Sequence, residues 1–128
     1  HTENPHVKIG ALGQMDVQTL LMASALLITD FSSIQFDFAY MLKPEIYYQF
    51  DEARYWGTHH DRGYFDYRAD GFGDVVTTQE ALLTAIETAL ASECAVTPEM
   101  QKHIRDTFGA LDDHNCERNH QAIRELML

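Results

Sequence analysis

Residues Leu27-Ile28-Thr29-Asp30-Phe31-Ser32-Ser33-Ile34-Gln35-Phe36-Asp37-Phe38-Ala39 pass from a short apolar run, through a polar turn, into helical periodicity. Ala25 to Ile28 have strand length, Asp30 and Ser32 carry turn and cap chemistry, and Ile34, Phe38, Met41 and Leu42 recur at helical spacing. A strand that hands over so directly to a helix leaves the first helical amides without intrahelical acceptors, at the positive end of the helix dipole. With Ser32 and Ser33 adding hydroxyl donors, that terminus offers a seat for a diphosphate. Serine is also a preferred N-cap of any helix, so the turn alone leaves capping and ligand binding both open.

The flanking segments extend the alternation. Val7 to Ile9 is expected as a first strand, and Asp16 as the N-cap of a helix carrying Val17, Leu20, Leu21 and Ser24. Lys43-Pro44 ends the serine-bearing helix, because proline lacks a donor and restricts its predecessor. Glu45 to Phe50 then has the aromatic and β-branched content of a strand. This βαβ order predicts a parallel sheet with helices on its faces, where ligands lie outside the carboxyl ends of the strands. Asp51 to Gly73 is read as a long functional loop with a helical turn near Glu52 to Trp56, its aromatic density arguing against disorder. Val75-Val76 restores a strand, and Thr77-Thr78-Gln79-Glu80 reads as a capping box with Thr77 as N-cap. Leu82, Leu83, Ile86 and Leu90 form the stripe of the helix that follows. Thr97-Pro98 opens another helix, stopped at Gly109, and a last helix from Asp113 or Asn115 is expected to close the lobe as a latch through Ile123, Leu126 and Met127.

With 128 residues, 45% of them hydrophobic, the chain is sized for one compact domain. Nine Lys and Arg against twenty Asp and Glu give a net charge of -11, which argues against nucleic-acid and anionic-membrane surfaces. Any bound anion must therefore be held locally, by amides and a few arginines. Cys94 and Cys116 form no Cys-x-x-Cys pair and are expected as reduced thiols, which favours the cytoplasm. No apolar stretch reaches the roughly 20 residues of a membrane span, so no direct membrane segment is expected here. A start at His1-Thr2-Glu3-Asn4-Pro5, without methionine, is expected of a piece of a larger protein.

The phrase ALLITDFSSIQFDFAYMLKPEIYYQFD, followed by RGYFDY and GDVVTTQEALLTAI, resembles the C-terminal part of the CDP-glycerol:poly(glycerophosphate) glycerophosphotransferase family, the polymerases and primases of teichoic acid and related capsule synthesis. The resemblance runs from Asp16 to Ile86, with a weaker echo at Leu111 to Arg118, where His114 stands in place of a family glycine. Glycine would permit positive φ there and histidine does so less readily, which puts the turn geometry in question. The resemblance implies an α/β, Rossmann-like three-layer lobe with a short parallel sheet, the C-terminal donor-binding half of a two-lobed GT-B fold. It also implies a transferase moving glycerol phosphate, or a related polyol phosphate, from CDP-glycerol or a similar nucleotide donor. The acceptor would be a polyol-phosphate polymer held by the missing lobe, and the parent enzyme would sit peripherally at the inner face of the plasma membrane. No cofactor is implied. A glycosyltransferase lobe using a nucleotide sugar, and a noncatalytic nucleotide-binding or interaction domain, are the competing expectations.

Ser32 and Ser33 are the leading ligands for the donor diphosphate. Asp30 stands at the strand end, where it could orient a serine hydroxyl, accept from a ribose or simply form the turn. Arg62, followed by Gly63, is the best candidate cation, since guanidinium matches phosphate geometry. Arg118 could reach the same anion or pair with Asp112 or Asp113, the ion pair being favoured. Asp37, one turn after Ser33, would repel a phosphate and is given a structural role. His59-His60 diverge on any regular backbone and read as loop residues, and no structural zinc is expected. The acid/base histidines of the resembled family lie in earlier segments, in His-Gly and His-Pro dipeptides that this chain does not contain. No general base is assigned to any residue here.

Overall fold

Helices crossing between neighbouring strands leave those strands parallel, and the order of elements here gives two such crossovers in succession. The computed structural model describes residues 4–10, 13, 15–58 and 63–127. Along them run α1 (Val17–Ala23), β1 (Leu27–Thr29), α2 (Ile34–Tyr40), β2 (Glu45–Tyr48), α3 (Glu52–Thr58), β3 (Gly73–Val76), α4 (Gln79–Ala91), α5 (Pro98–Phe108) and α6 (Asn115–Leu126). The protein is α/β, with a short three-stranded parallel sheet in the order β1-β2-β3. Ile28 pairs with Ile46 and Tyr47 with Val75, so β2 is central. Helix α2 packs against β1 and β2, and α4 against β2 and β3.

A central parallel strand is buried on both faces, and Glu45, Ile46 and Tyr47 are all buried. Gly73 lies opposite Glu45 in the ladder, and a Cβ there would come within 1.8 Å of the Glu45 carbonyl oxygen. Only glycine lets β3 approach this closely. The core continues through Ala39, Phe72 and Ile104, with Phe36, Phe65 and Phe108 packed around them. Phe72 faces Phe108 at 5.9 Å and meets Phe36 edge-on at 5.6 Å, arrangements that favour aromatic pairs beyond their burial alone.

Several local expectations hold and several shift. Asp16 caps α1 by accepting from the Thr19 amide, and Thr97 caps α5 by accepting from the Met100 amide, with Pro98 in the first turn. Lys43 does more than precede a proline. Its Nζ donates to the carbonyls of Leu21, Met22 and Ser24 at 2.6–2.9 Å, closing the C-terminal end of α1 with a cation. Val7 to Ile9, expected as a strand, has no regular structure and is exposed. Thr78, not Thr77, caps α4, accepting from the Ala81 amide at 3.2 Å. That shift puts Glu80 one place too early for a capping box. The buried face of α2 is Gln35, Phe38 and Ala39, rotated from the expected stripe, and Leu42 is exposed with φ 55°.

The C-terminal helix is not a latch on this lobe. Ile123, Leu126 and Met127 are 57%, 88% and 81% exposed, so the stripe is left mostly uncovered. What ties this region down is polar: the Tyr40 hydroxyl donates to the Asp112 carbonyl at 2.7 Å and accepts from Asn115 Nδ2 at 3.1 Å. His114 adopts φ -94°, so the turn needs no glycine.

Candidate functional site at the carboxyl ends of the strands

The three strands end on a shared edge, and Gln49 joins them. Its amide donates to the Val76 carbonyl at 2.9 Å, and its side-chain Nε2 donates to the Asp30 carbonyl at 3.3 Å. The turn after β1 is thereby fixed to the end of β2, with Asp30, Ser32 and Ser33 all exposed on it. Ser33 occupies the N-cap position of α2 in αR geometry and makes no side-chain cap bond. An N-cap side chain reaches back to the helix only from extended backbone, so this hydroxyl is spared from capping. Ser32 Oγ accepts from the Ile34 amide at 3.4 Å, a long bond that leaves most of its capacity unspent.

Between Asp30 and the serines, Phe31 anchors the turn. Its ring stacks on Tyr55 at 3.8 Å with 3° between planes and meets Trp56 and Tyr67 edge-on. The turn is thus pinned to α3 and to the 63–70 segment. Two cavities open beside it. One, of about 310 Å³, is lined by Ser33, Gln35, Phe36 and Tyr64 among other aromatic residues. The other, of about 180 Å³, has polar walls of Gln49, Glu52, Asp66 and Arg68. They share Trp56, Gly63, Phe65 and Tyr67.

Beneath the cavities lies a buried polar hub. The Tyr47 hydroxyl stands 2.6 Å from Gln35 Oε1 and 2.9 Å from Glu45 Oε1, and accepts from the Phe72 amide at 3.1 Å. Tyrosine has one proton for two acceptor oxygens. A protonated Glu45 supplies the other, and burial does push its carboxyl up to about 8, only partly offset by the bond to Tyr47. Glu45 then donates to Tyr47, which donates to Gln35. Among the described residues Glu45 Oε2 remains buried without a hydrogen-bond partner, which a neutral carboxyl tolerates far better than a carboxylate. Burial, followed by the charge of Glu45, also drives the Tyr47 phenol far above its ordinary range. Burial raises Tyr67 as well, opposed by the neighbouring Gln35 side chain.

Of the residues singled out from sequence, Asp30, Ser32 and Ser33 come together at the strand ends. Arg62, like His59 and His60, lies outside the described residues. Arg118 pairs with Asp112 at 2.9 Å and hydrogen-bonds Asn115, beside Tyr40 at the C-terminal end of α2. Seven residues of helix, roughly 10 Å, separate that end from the serines. Asp37 is exposed, and among the described residues no hydrogen bond or ion pair holds its side chain. Cys94 and Cys116 are free thiols. Among the described residues no group of three His, Cys, Asp or Glu side chains is placed to hold a metal, and no helix is long and apolar enough to cross a membrane.

Sequence reasoning missed Phe31, Gln35, Glu45 and Gln49. The alternation Glu45, Tyr47, Gln49 was the available signal, since residues two apart share a sheet face and this face meets α2. Polar residues on the inner face of a central strand imply a hydrogen-bonded network.

A profile described as CDP-Glycerol:Poly(glycerophosphate) glycerophosphotransferase matches residues 6–124. The minor teichoic acid biosynthesis protein GgaB of Bacillus subtilis is 36% identical over 109 residues, 85% of this chain and 12% of that protein. A teichoic acid glycerol-phosphate transferase of Staphylococcus aureus is 36% identical over 72 residues, 56% of this chain and 18% of that protein. A teichoic acid poly(glycerol phosphate) polymerase of Bacillus subtilis is 40% identical over 75 residues, 56% of this chain and 10% of that protein. The chain thus spans less than a fifth of each of these relatives. No solved structure matches it significantly.

Proposed function

The chain belongs to the CDP-Glycerol:Poly(glycerophosphate) glycerophosphotransferase family, and on that premise we propose that it is a single donor-binding lobe of a transferase that moves glycerol phosphate, or a related polyol phosphate, from a CDP-activated donor to a teichoic-acid-like polymer. The lobe is the C-terminal half of a two-lobed GT-B enzyme, three-layered about its sheet, working peripherally at the inner face of the plasma membrane. One observation carries this: within the family motif, two adjacent serine hydroxyls stand exposed at the carboxyl ends of parallel strands, scarcely used for capping. Hydroxyls placed there can donate to a diphosphate. Ser32 and Ser33 are the proposed diphosphate ligands, with Asp30 orienting them or accepting from the ribose, and Arg62 the candidate cation, Arg118 being held by Asp112 at the other end of α2. In the reaction the lobe clamps the leaving nucleotide, and the base that takes the acceptor's proton comes from elsewhere in the parent.

Ser32→Ala with Ser33→Ala tests the assignment. Each hydrogen bond to a charged group is worth roughly 1.5 to 3 kcal/mol, so affinity for CDP-glycerol falls by tens to thousands of fold while the fold loses less than about 1 kcal/mol. Normal donor binding alongside an early melt would make the serines caps and nothing more. The chain alone, incubated with CDP-glycerol and a polyglycerol phosphate acceptor, is expected to release no CMP above background. Turnover would bring a base into this lobe.

A further inference from the structure

The buried hub admits two proton arrangements, and they differ in which end of Gln35 meets the cavity that it lines together with Ser33. Around the Tyr47 hydroxyl stand Gln35 Oε1 at 2.6 Å, Glu45 Oε1 at 2.9 Å and the Phe72 amide at 3.1 Å. A phenol has one proton to give and two lone pairs to fill. With Glu45 protonated, the carboxyl donates to Tyr47 and Tyr47 donates to Gln35 Oε1, so the Nε2 of Gln35 is its free end. With Glu45 ionised, one proton having gone to solvent, the carboxylate takes the Tyr47 proton and Gln35 Oε1 would face the phenol oxygen lone pair to lone pair. Turning the amide over brings Nε2 to Tyr47 and satisfies all three contacts again. The two ends of an amide are nearly equal in size, so even a side chain 2% exposed can turn without repacking.

The cost of ionisation sets where the change occurs. Among the described residues Glu45 Oε2 is the one buried side-chain polar atom without a partner, so a carboxylate there is left half satisfied. Burial accordingly raises the group to about 8, opposed by the bond to Tyr47. Its titratable neighbours are Tyr47 on the same strand and Tyr67 before β3, both raised by burial. Leu27 of β1 and Gly73 of β3 stand opposite Glu45, and α2 and α4 carry only the exposed charges of Asp37, Glu80 and Glu87. Asp66, Arg68 and Asp70, around Tyr67, are exposed as well.

We propose that Glu45 is a proton-operated switch for the donor site: protonated, it leaves Gln35 Nε2 toward the cavity of Ser33, where a donor assists a bound diphosphate, and ionised, it turns Gln35 Oε1 there, where an acceptor opposes one. The effect on the diphosphate rests on the donor-site proposal, whereas the turning of the amide does not. Coupling is reciprocal, so an anion beside Ser33 favours the protonated carboxyl in turn.

NMR on the free chain tests the switch, and donor titrations test its reach. Between about pH 6 and about pH 9 the side-chain amide resonances of Gln35 are expected to move with the Glu45 carboxyl resonance along one curve. In Glu45→Gln, whose own amide donates to Tyr47 throughout, they should keep their low-pH position. Tyr47→Phe severs the link and should leave Gln35 still while Glu45 titrates, which serves should Glu45→Gln fold poorly. A Gln35 amide that stays still while Glu45 ionises, or moves equally in the variants, overturns the proposal, as does a Glu45 that never changes state in this range. CDP-glycerol, its diphosphate ionised throughout, is expected to bind the wild-type chain about 10-fold more weakly at the upper limit, where roughly a tenth of the chains keep the proton. Glu45→Gln should bind it equally at both limits. Equal binding by the wild-type chain, with the amide turning, overturns the link to the donor site. No binding at either limit overturns the donor site itself, and leaves the turning amide standing.

Discussion

Two polar clusters in this protein use the same chemical groups in opposite settings. At the inner face of β2, Glu45, Tyr47 and Gln35 form a network sealed from water. At the start of α6, Asp112, Asn115, Arg118 and the Tyr40 hydroxyl form one that is open to it. Burial keeps the Glu45 carboxyl neutral, whereas at Asp112 the hydrogen bond from Arg118, then that from the His114 amide, holds the carboxyl below its ordinary range. A carboxylate beside a guanidinium in water gains little, because solvent screens the pair and both side chains lose freedom. Solvent cannot rescue the buried group, so every partner of Tyr47 matters. The inner cluster therefore fixes the strand ends, and the outer one only tethers a helix.

The sharpest way to break the contrast is pH. The folded Glu45 carboxyl titrates near 8, above its ordinary value of 4.5, so between those values the native chain keeps a proton that the unfolded chain has lost. Stability from this group is complete below about pH 4.5, declines as pH rises and is gone above about 8, a loss on the order of 5 kcal/mol. Asp112 has the opposite sign, its contribution being lost as pH falls. Urea unfolding at pH 5 and pH 8.5 should show the decline in the wild-type chain and a much flatter profile in Glu45→Gln. Equal slopes would mean that Glu45 is ionised in the fold. Next in size is Gly73→Ala, whose methyl would collide with the Glu45 carbonyl and part β3 from β2, costing about 3 kcal/mol by chemical denaturation. Tyr47→Phe should follow at about 2 kcal/mol, since it strands the Phe72 amide and the Gln35 oxygen without opening a void.

The sequence carried the outline of the inner region better than its contents. Alternating apolar runs and caps announced β1, α2, β2 and β3 within a residue or two, because local periodicity and turn chemistry decide such elements. The serine turn was legible for the same reason. Glu45, Gln35 and Gln49 were not, since polar letters read as surface until topology makes β2 central and buries its faces. Phe31 was hidden differently: only the folded chain brings α3 and Tyr67 around it. The apolar letters of α6 read as a seal, yet a stripe records only what a helix is able to bury, not whether a partner is present.

Arg118→Ala is the smallest perturbation and completes the contrast. It removes the pair with Asp112 and the bond to Asn115, but Tyr40 still holds the Asp112 carbonyl and the Asn115 amide, so the start of α6 keeps two of its ties. Asp112 regains water as it loses its cation, and its titration returns upward toward the ordinary carboxylate range. The thermal midpoint should move too little to resolve at moderate salt, while the NMR titration of the Asp112 carboxyl shifts upward. A large drop in midpoint would show that the exposed cluster bears on the core through Tyr40, and would erase the distinction drawn between the two networks.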